Sequence, residues 1–299
     1  MPTVDKRKYL QPDIVAKLNN MSLRARLVVE GYIIGMHKSP YHGFSVEFAE
    51  HRTYGPGDEI RYLDWKLYGK TDRFYIKQFE EETNLRSYII LDTSKSMTYA
   101  SGKVSKLDYS SYLSAALAYL MLRQQDGVSL TLFDEKVKGY VPPRSTLGHL
   151  DTLLVELEHL ETGPDTKIAP TLHQLAEKIK KRGLIILISD LLDNPEEVIT
   201  GLKHFRHKKN EVIVFHILDR QETEFDFSTR TRFHDLESGE EITTEPWHIQ
   251  KAYQEVVRQF QHYYKTKCRK RNIDYVPLFT DQTLDLALTG YLRKRKVIG

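Results

Sequence analysis

Residues 87–96 read SYIILDTSKS. The first half is a short, unbroken apolar run closed by Asp92, the form a strand takes when both faces of a parallel sheet are covered. Two more runs of the same kind follow, GLIILISD at 183–190 and EVIVFHILD at 211–219. Helical patterns lie between them. Residues 107–122 are rich in Ala, Leu and Tyr, and Leu150, Leu153, Leu154, Leu157 and Leu160 recur at helical spacing within 147–160. Two further helices are expected from Pro170 to Lys181 and from Pro195 to Phe205, each opened by a proline. GVSLTLFD (127–134) and KVKGYV (136–141) read as two strands joined by a turn at Asp134 and Glu135. Strands alternating with helices in this way build βαβ units, and right-handed crossovers place the helices on both faces of the sheet. The expectation is an α/β fold, doubly wound and mostly parallel, whose ligands bind at the carboxyl ends of the strands.

The flanks read differently. Residues 12–34 carry apolar positions suited to two short helices separated near Asn20, whereas 38–72 is dense in turn formers and aromatics, with SPYHGF, YGPGDE and YLDWKLYGKTD. Phe74, Ile76 and Phe79 suggest a strand. Beyond the third apolar run, Ser238 and Gly239 mark a hairpin turn. A helix from Trp247 to about Arg271, a strand at 273–279 and a helix from Thr283 to about Arg293 complete the chain. The division expected is an N-terminal extension, 1–84, packed on a main domain, 85–299.

Composition mainly excludes. The 299 residues carry 44 Lys and Arg against 41 Asp and Glu, and a net charge of +3 is too balanced for whole-protein nucleic-acid electrostatics. The clusters KTKCRKR (265–271) and RKRK (293–296) fall near helix C-termini, where cations complement the helix dipole, so no specific nucleic acid is expected. Cys268 is the single cysteine, which rules out an internal disulfide or a zinc site built on cysteine pairs and fits a reducing compartment. No run reaches the roughly 18 apolar residues of a membrane span, and the first eight residues hold no apolar signal core, so the expected location is cytoplasmic. The glycine motifs of phosphate and dinucleotide sites and the G-x-S-x-G elbow are missing. His204 and His207 read as a solvated basic helix end, and His216 as a satisfied core histidine.

Three pieces of sequence fall where a ligand is expected. Asp92, Ser94 and Ser96 form D-x-S-x-S after the first strand, Asp190 ends the run ISD, and the loop GPDTKIAP between them holds Asp165 and Thr166. These are hard oxygen donors, suited to Mg²⁺, or to Mn²⁺ or Ca²⁺.

The pattern resembles the von Willebrand factor A fold with its metal-ion-dependent adhesion site. That resemblance implies a metal set of Asp92, Ser94, Ser96, Thr166 and Asp190, with the serines as direct ligands, the aspartates acting largely through water, and a free position for a partner's Asp or Glu. The block EFAEHRTYGPGDEIRYLDW (47–65), running on to DRFYIKQFEEE and LDTSKSM, is similar to the bacterial domain-of-unknown-function family 58. Members of that family carry such a domain and are linked with MoxR-type AAA+ ATPases, which implies an assembly or chaperone-like role beside the ATPase. Asp58 and Glu59 depart mildly from the family pattern, and longer members carry membrane helices before this block.

Within the block, Glu47, Arg52, Asp58, Arg61, Asp64 and Trp65 are candidates for a partner surface. The competing reading is a self-satisfied network, because irregular buried segments must pair their own polar groups. The function expected is a non-enzymatic, metal-dependent protein-interaction module. A metal-assisted phosphoesterase and a metal-free scaffold are the alternatives.

Overall fold

The computed structural model describes residues 12–18, 20–36, 51–53, 68–69, 71–77, 85–163, 167–234 and 241–298. The chain divides into two compact units, one of Met36–Thr83 and one of Met1–Gly35 with Asn84–Gly299. In the small unit, β1 (His51–Thr53) pairs antiparallel with β2 (Tyr75–Lys77), which sets Arg52 opposite Ile76.

The large unit is built on a six-stranded sheet. Its strands are β3 (Arg86–Asp92), β4 (Gly127–Phe133), β5 (Val137–Arg144), β6 (Leu184–Ser189), β7 (Glu211–Leu218) and β10 (Asp274–Phe279), in the order β10-β7-β6-β3-β4-β5. All neighbours are parallel except β5, which runs antiparallel to β4 at the edge. β8 (Thr231–His234) and β9 (Glu241–Thr244) form a separate antiparallel pair. The turn predicted between them at Ser238 and Gly239 lies outside the described residues.

Both faces of the sheet are covered, which explains the unbroken apolar runs. Tyr88, Ile90, Ile185, Leu187, Val212 and Val214 point to one face and join a buried cluster with three helices, α5 (Ile168–Lys178), α6 (Pro195–His207) and α8 (Pro246–Arg269). On the opposite face α3 (Lys106–Arg123) packs against β3 and β4, and α9 (Asp285–Ile298) lies over Phe215 of β7. α4 (His149–Glu158) packs against α3 and β5, and the short α7 (Arg220–Glu224) against α8.

The N-terminal helices belong to the large unit. α1 (Pro12–Val15) and α2 (Met21–Met36) break where expected, with the Asn20 side chain accepting the Leu23 amide at 3.2 Å as a helix cap. Arg24 closes the bend by donating to the carbonyls of Leu18 and Ala16, while its guanidinium lies 4.7 Å from the Tyr112 ring centre. Met21 N donates to Glu158 at 3.1 Å, and Tyr32 shares a hydrogen bond with Thr289.

Several boundaries differ from expectation. α5 starts at Ile168 rather than Pro170 and stops at Lys178. β5 continues past Val141 through two prolines to Arg144; as an edge strand it tolerates residues with no amide to donate.

Candidate metal centre

The chain leaves β3 toward β4 and β5, then returns on the other side of β3 as β6. A reversal of this kind marks where an α/β sheet places its ligand crevice, and Asp92 and Asp190 stand at the carboxyl ends of β3 and β6 on either side of it. Asp92 is completely buried. Its Oδ1 accepts the Ser94 amide at 2.9 Å and its Oδ2 accepts the Ser189 hydroxyl at 2.6 Å. The loop then turns through a single 3-10 helix, Lys95–Thr98, anchored by buried Met97. This turn brings Ser94 Oγ and Ser96 Oγ, both buried, within 3.0 Å of each other.

The second loop is tied to the first by backbone. Ser94 pairs with Gly163 in a parallel bridge, and Gly163 N donates to Thr93 O at 3.2 Å. A Cβ on Gly163 would fall 1.6 Å from Asp134 Oδ2, so only glycine permits this approach. On the far side of the loop, Asp193 Oδ2 accepts the Ile168 and Ala169 amides at 2.8 and 3.3 Å and caps α5. Thr166 itself, with Asp165, lies outside the described residues.

Asp190 has a partner that the sequence did not suggest. Lys106 Nζ, in the first turn of α3, lies 2.9 Å from Asp190 Oδ2 and 2.8 Å from Glu222 Oε1 on α7, and the lysine is only 1% exposed. A capping box fixes the helix start: Ser105 Oγ accepts the Asp108 amide and the Asp108 carboxylate accepts the Ser105 amide. Asp219, also buried, caps α7 by accepting the Gln221 amide at 2.8 Å, and so sets where Glu222 stands.

Electrostatics follow from this burial. Asp92 is raised from its ordinary carboxyl value to about 7, first by burial and then by the charge of Asp190, with the hydrogen bonds from Ser189 and Ser94 opposing. Burial works against the Lys106 ammonium, but the pull of Asp190 and Glu222 outweighs it and holds the pKa above the usual lysine range. Glu222 is raised, chiefly by burial, against the pull of Lys106.

Behind Asp190, the fully buried His216 is driven down to about 4 by burial and is therefore neutral. Its Nε2 lies 2.9 Å from the Asp190 carbonyl, which can only accept, so Nε2 carries the proton and Nδ1 accepts from Tyr275 Oη at 2.6 Å. This arrangement bears out the reading of His216 as a core histidine and makes it a support for the Asp190 backbone.

Among the described residues, no group of three or more His, Cys, Asp or Glu side chains is arranged to hold a metal. The candidate centre relies on hydroxyls instead. Ser94 and Ser96 converge at 3.0 Å in front of a buried carboxylate, and a cation, the Lys106 ammonium, already stands against Asp190. This donor set fits a small hard cation.

Sequence reasoning missed Lys106, Ser189, Asp193 and Glu222. Lys106 left one local trace, since a cation in the first turn of a helix opposes the macrodipole and needs a compensating acid. Of the partner-surface candidates, Arg52 sits in β1, whereas Glu47, Asp58, Arg61, Asp64 and Trp65 lie outside the described residues. His207 is exposed as expected. His204 instead pairs with Glu177 at 2.9 Å and meets His173 at 3.3 Å, contacts that only the packing of α5 on α6 creates.

A family model described as protein of unknown function DUF58 matches residues 50–263. Uncharacterized protein Rv1480 of Mycobacterium tuberculosis is 24% identical over 231 residues, which cover 76% of this chain and 72% of that protein. Among solved structures, the conserved hypothetical protein BatB from Bacteroides thetaiotaomicron aligns with a TM-score of 0.50 at 16% identity, over 72% of this chain and 100% of its own. The SpRpn10 VWA domain aligns with a TM-score of 0.41 at 12% identity, over 69% and 93%.

Proposed function

We propose that this chain, which belongs to the family described as protein of unknown function DUF58 and has a von Willebrand factor A-like fold, is a protein-interaction module that recruits an acidic side chain of a partner through a divalent cation. The observation that carries the reading is the convergence of Ser94 and Ser96 hydroxyls at 3.0 Å before buried Asp92, at the point where the sheet order reverses.

In this reading Ser94, Ser96 and Thr166 would hold the ion through their hydroxyls, with Asp92 and Asp190 supplying the negative charge that attracts it. A bound Mg²⁺ supplies a Lewis-acid position with exchangeable water, open to a carboxylate oxygen. Ser189 and the Ser94 amide keep Asp92 aimed at the site, and His216 holds the backbone of Asp190. Specificity comes from geometry, because a charge-assisted contact of this kind tolerates little displacement.

The role is non-enzymatic. His216 cannot serve as the base for a serine nucleophile, because it is neutral and both its ring nitrogens are engaged, by the Asp190 carbonyl and by Tyr275. The metal-free scaffold keeps one supporting observation, the ammonium of Lys106 already neutralising Asp190.

The proposed partner is a MoxR-type AAA+ ATPase, following the family's association. Capture of such an ATPase by the full chain is expected in Mg²⁺ and is expected to disappear in EDTA and in Asp92→Ala, with the variant's thermal melt still cooperative. Capture that persists in EDTA contradicts the metal bridge.

A further inference from the structure

The geometry points to Lys106 as the built-in counter-ion of the candidate centre, a positioning residue that keeps the metal-free protein folded and weakens its hold on a divalent cation. This inference rests on the metal-centre reading above and concerns a side chain that reading does not use.

The Lys106–Asp190–Glu222 cluster is not an ordinary surface ion pair. Lys106 is almost completely buried, its ammonium lies 2.9 Å from Asp190 and 2.8 Å from Glu222, and the Tyr99 ring covers it at 5.8 Å. It has little freedom to retreat, because the capping box at Ser105 and Asp108 fixes the turn from which it projects. Asp190 and Glu222 sit on different elements, the end of β6 and α7, so one ammonium holds two loops of the crevice together.

Two consequences follow from charge alone. Asp190 is a buried acid and Glu222 a half-buried one, and Lys106 compensates both where no metal does. Removing the ammonium leaves buried carboxylates without a partner, which destabilises the metal-free fold. Conversely, a fixed positive charge against Asp190 repels a divalent cation drawn to the same carboxylate, and the low local dielectric strengthens that repulsion. Lys106 also engages Asp190 Oδ2, whereas Oδ1 accepts the Leu192 amide at 3.4 Å, so neither carboxylate oxygen is unengaged. Lys106 therefore exchanges affinity for independence from metal: the crevice is pre-shaped before an ion arrives and releases it readily.

A purely structural lysine predicts something different. It would lower stability when removed and leave metal affinity unchanged. A counter-ion predicts opposite affinity shifts for two changes in the same cluster. Lys106→Met removes a positive charge and tightens binding, whereas Glu222→Gln removes a negative charge, leaves the ammonium on Asp190 alone and weakens it.

The test is Mn²⁺ binding to the full chain, followed by electron paramagnetic resonance of free Mn²⁺, with thermal melts in EDTA and in Mn²⁺. Lys106→Met is expected to bind about tenfold tighter than the parent chain. Its melting temperature in EDTA should fall below the parent's, and Mn²⁺ should recover more of it. Glu222→Gln is expected to bind several-fold more weakly. Equal or weaker binding by Lys106→Met, with the parent chain still binding, overturns the counter-ion role and leaves the metal centre standing. Absence of Mn²⁺ binding in both proteins overturns the metal centre and this inference with it. Should Lys106→Met fail to fold, Glu222→Gln carries the test, and unchanged or tighter binding there overturns the proposal.

Discussion

The two ends of the central sheet treat charge in opposite ways. At the carboxyl ends of β3, β6 and β7, Asp92, Asp190 and Asp219 are buried, and each is engaged by named donors. At the amino ends of β6, β7 and β10, Lys180, Lys181, Arg182, Lys209, Arg269 and Lys270 are exposed. Arg182 donates to the Lys209 carbonyl at 3.0 Å, and the acids that open β7 and β10, Glu211 and Asp274, are met at this end by Arg206 and Lys294. Cations at helix C-termini complement the helix dipole and remain solvated, at little cost and little gain. Buried acids are costly unless specifically compensated, so their collection at the carboxyl ends of the strands supports the proposed centre there. The nearly balanced net charge of +3 conceals this polarity.

The comparison breaks first at Gly163. Replacing it with Ala drives a methyl group into the Asp134 carboxylate, and a loss of about 1–3 kcal/mol of stability is expected, read from denaturant unfolding. Because Gly163 also pairs with Ser94, metal binding should weaken in parallel. An unchanged midpoint would mean that the second loop does not lie against Asp134.

A smaller effect sharpens the same end. In EDTA, Asp92 binds its proton more tightly in the folded chain than in the unfolded one, because its pKa is raised to about 7 from the ordinary 3.8. Its stabilising contribution is then fully present below the ordinary value and is lost as pH rises through about 7. His216 has the opposite slope: lowered to about 4 from 6.5, it contributes stability above its ordinary value that is lost as pH falls toward about 4. The difference between the parent chain and Asp92→Asn isolates the carboxyl group. Asp92→Asn should gain stability relative to the parent as pH rises from about 4 to about 7, and a flat difference over that window would contradict the burial argument. At the amino end the expected effect is smallest. Lys180→Ala combined with Lys181→Ala should leave stability within about 0.5 kcal/mol, measured by the same unfolding titration.

Legibility in the sequence followed the range of the interactions involved. The strands around Asp92 and Asp190 could be read locally because doubly covered strands are uniformly apolar, and the D-x-S-x-S loop is one short stretch. The start of α5 was misjudged because its cap is Asp193, a residue far along the chain, and a proline two positions inside the helix looked like the beginning. Lys106 shows only that a cation stands in the first turn of a helix; nothing near it in sequence announces that Asp190 and Glu222 will meet its ammonium. His216 was recognised as buried, but its grip on the Asp190 carbonyl required the β6 and β7 register, in which Ser189 lies opposite His216.

The central claim is that the serine pair before Asp92 holds a divalent cation. Its most direct measurement is Mn²⁺ stoichiometry on the full chain by electron paramagnetic resonance, comparing the parent with a Ser94→Ala, Ser96→Ala double variant whose melt in EDTA matches the parent's. The account predicts one Mn²⁺ per parent chain and loss of that site in the double variant. Equal Mn²⁺ binding by both proteins, or none by the parent at millimolar Mn²⁺, would contradict it.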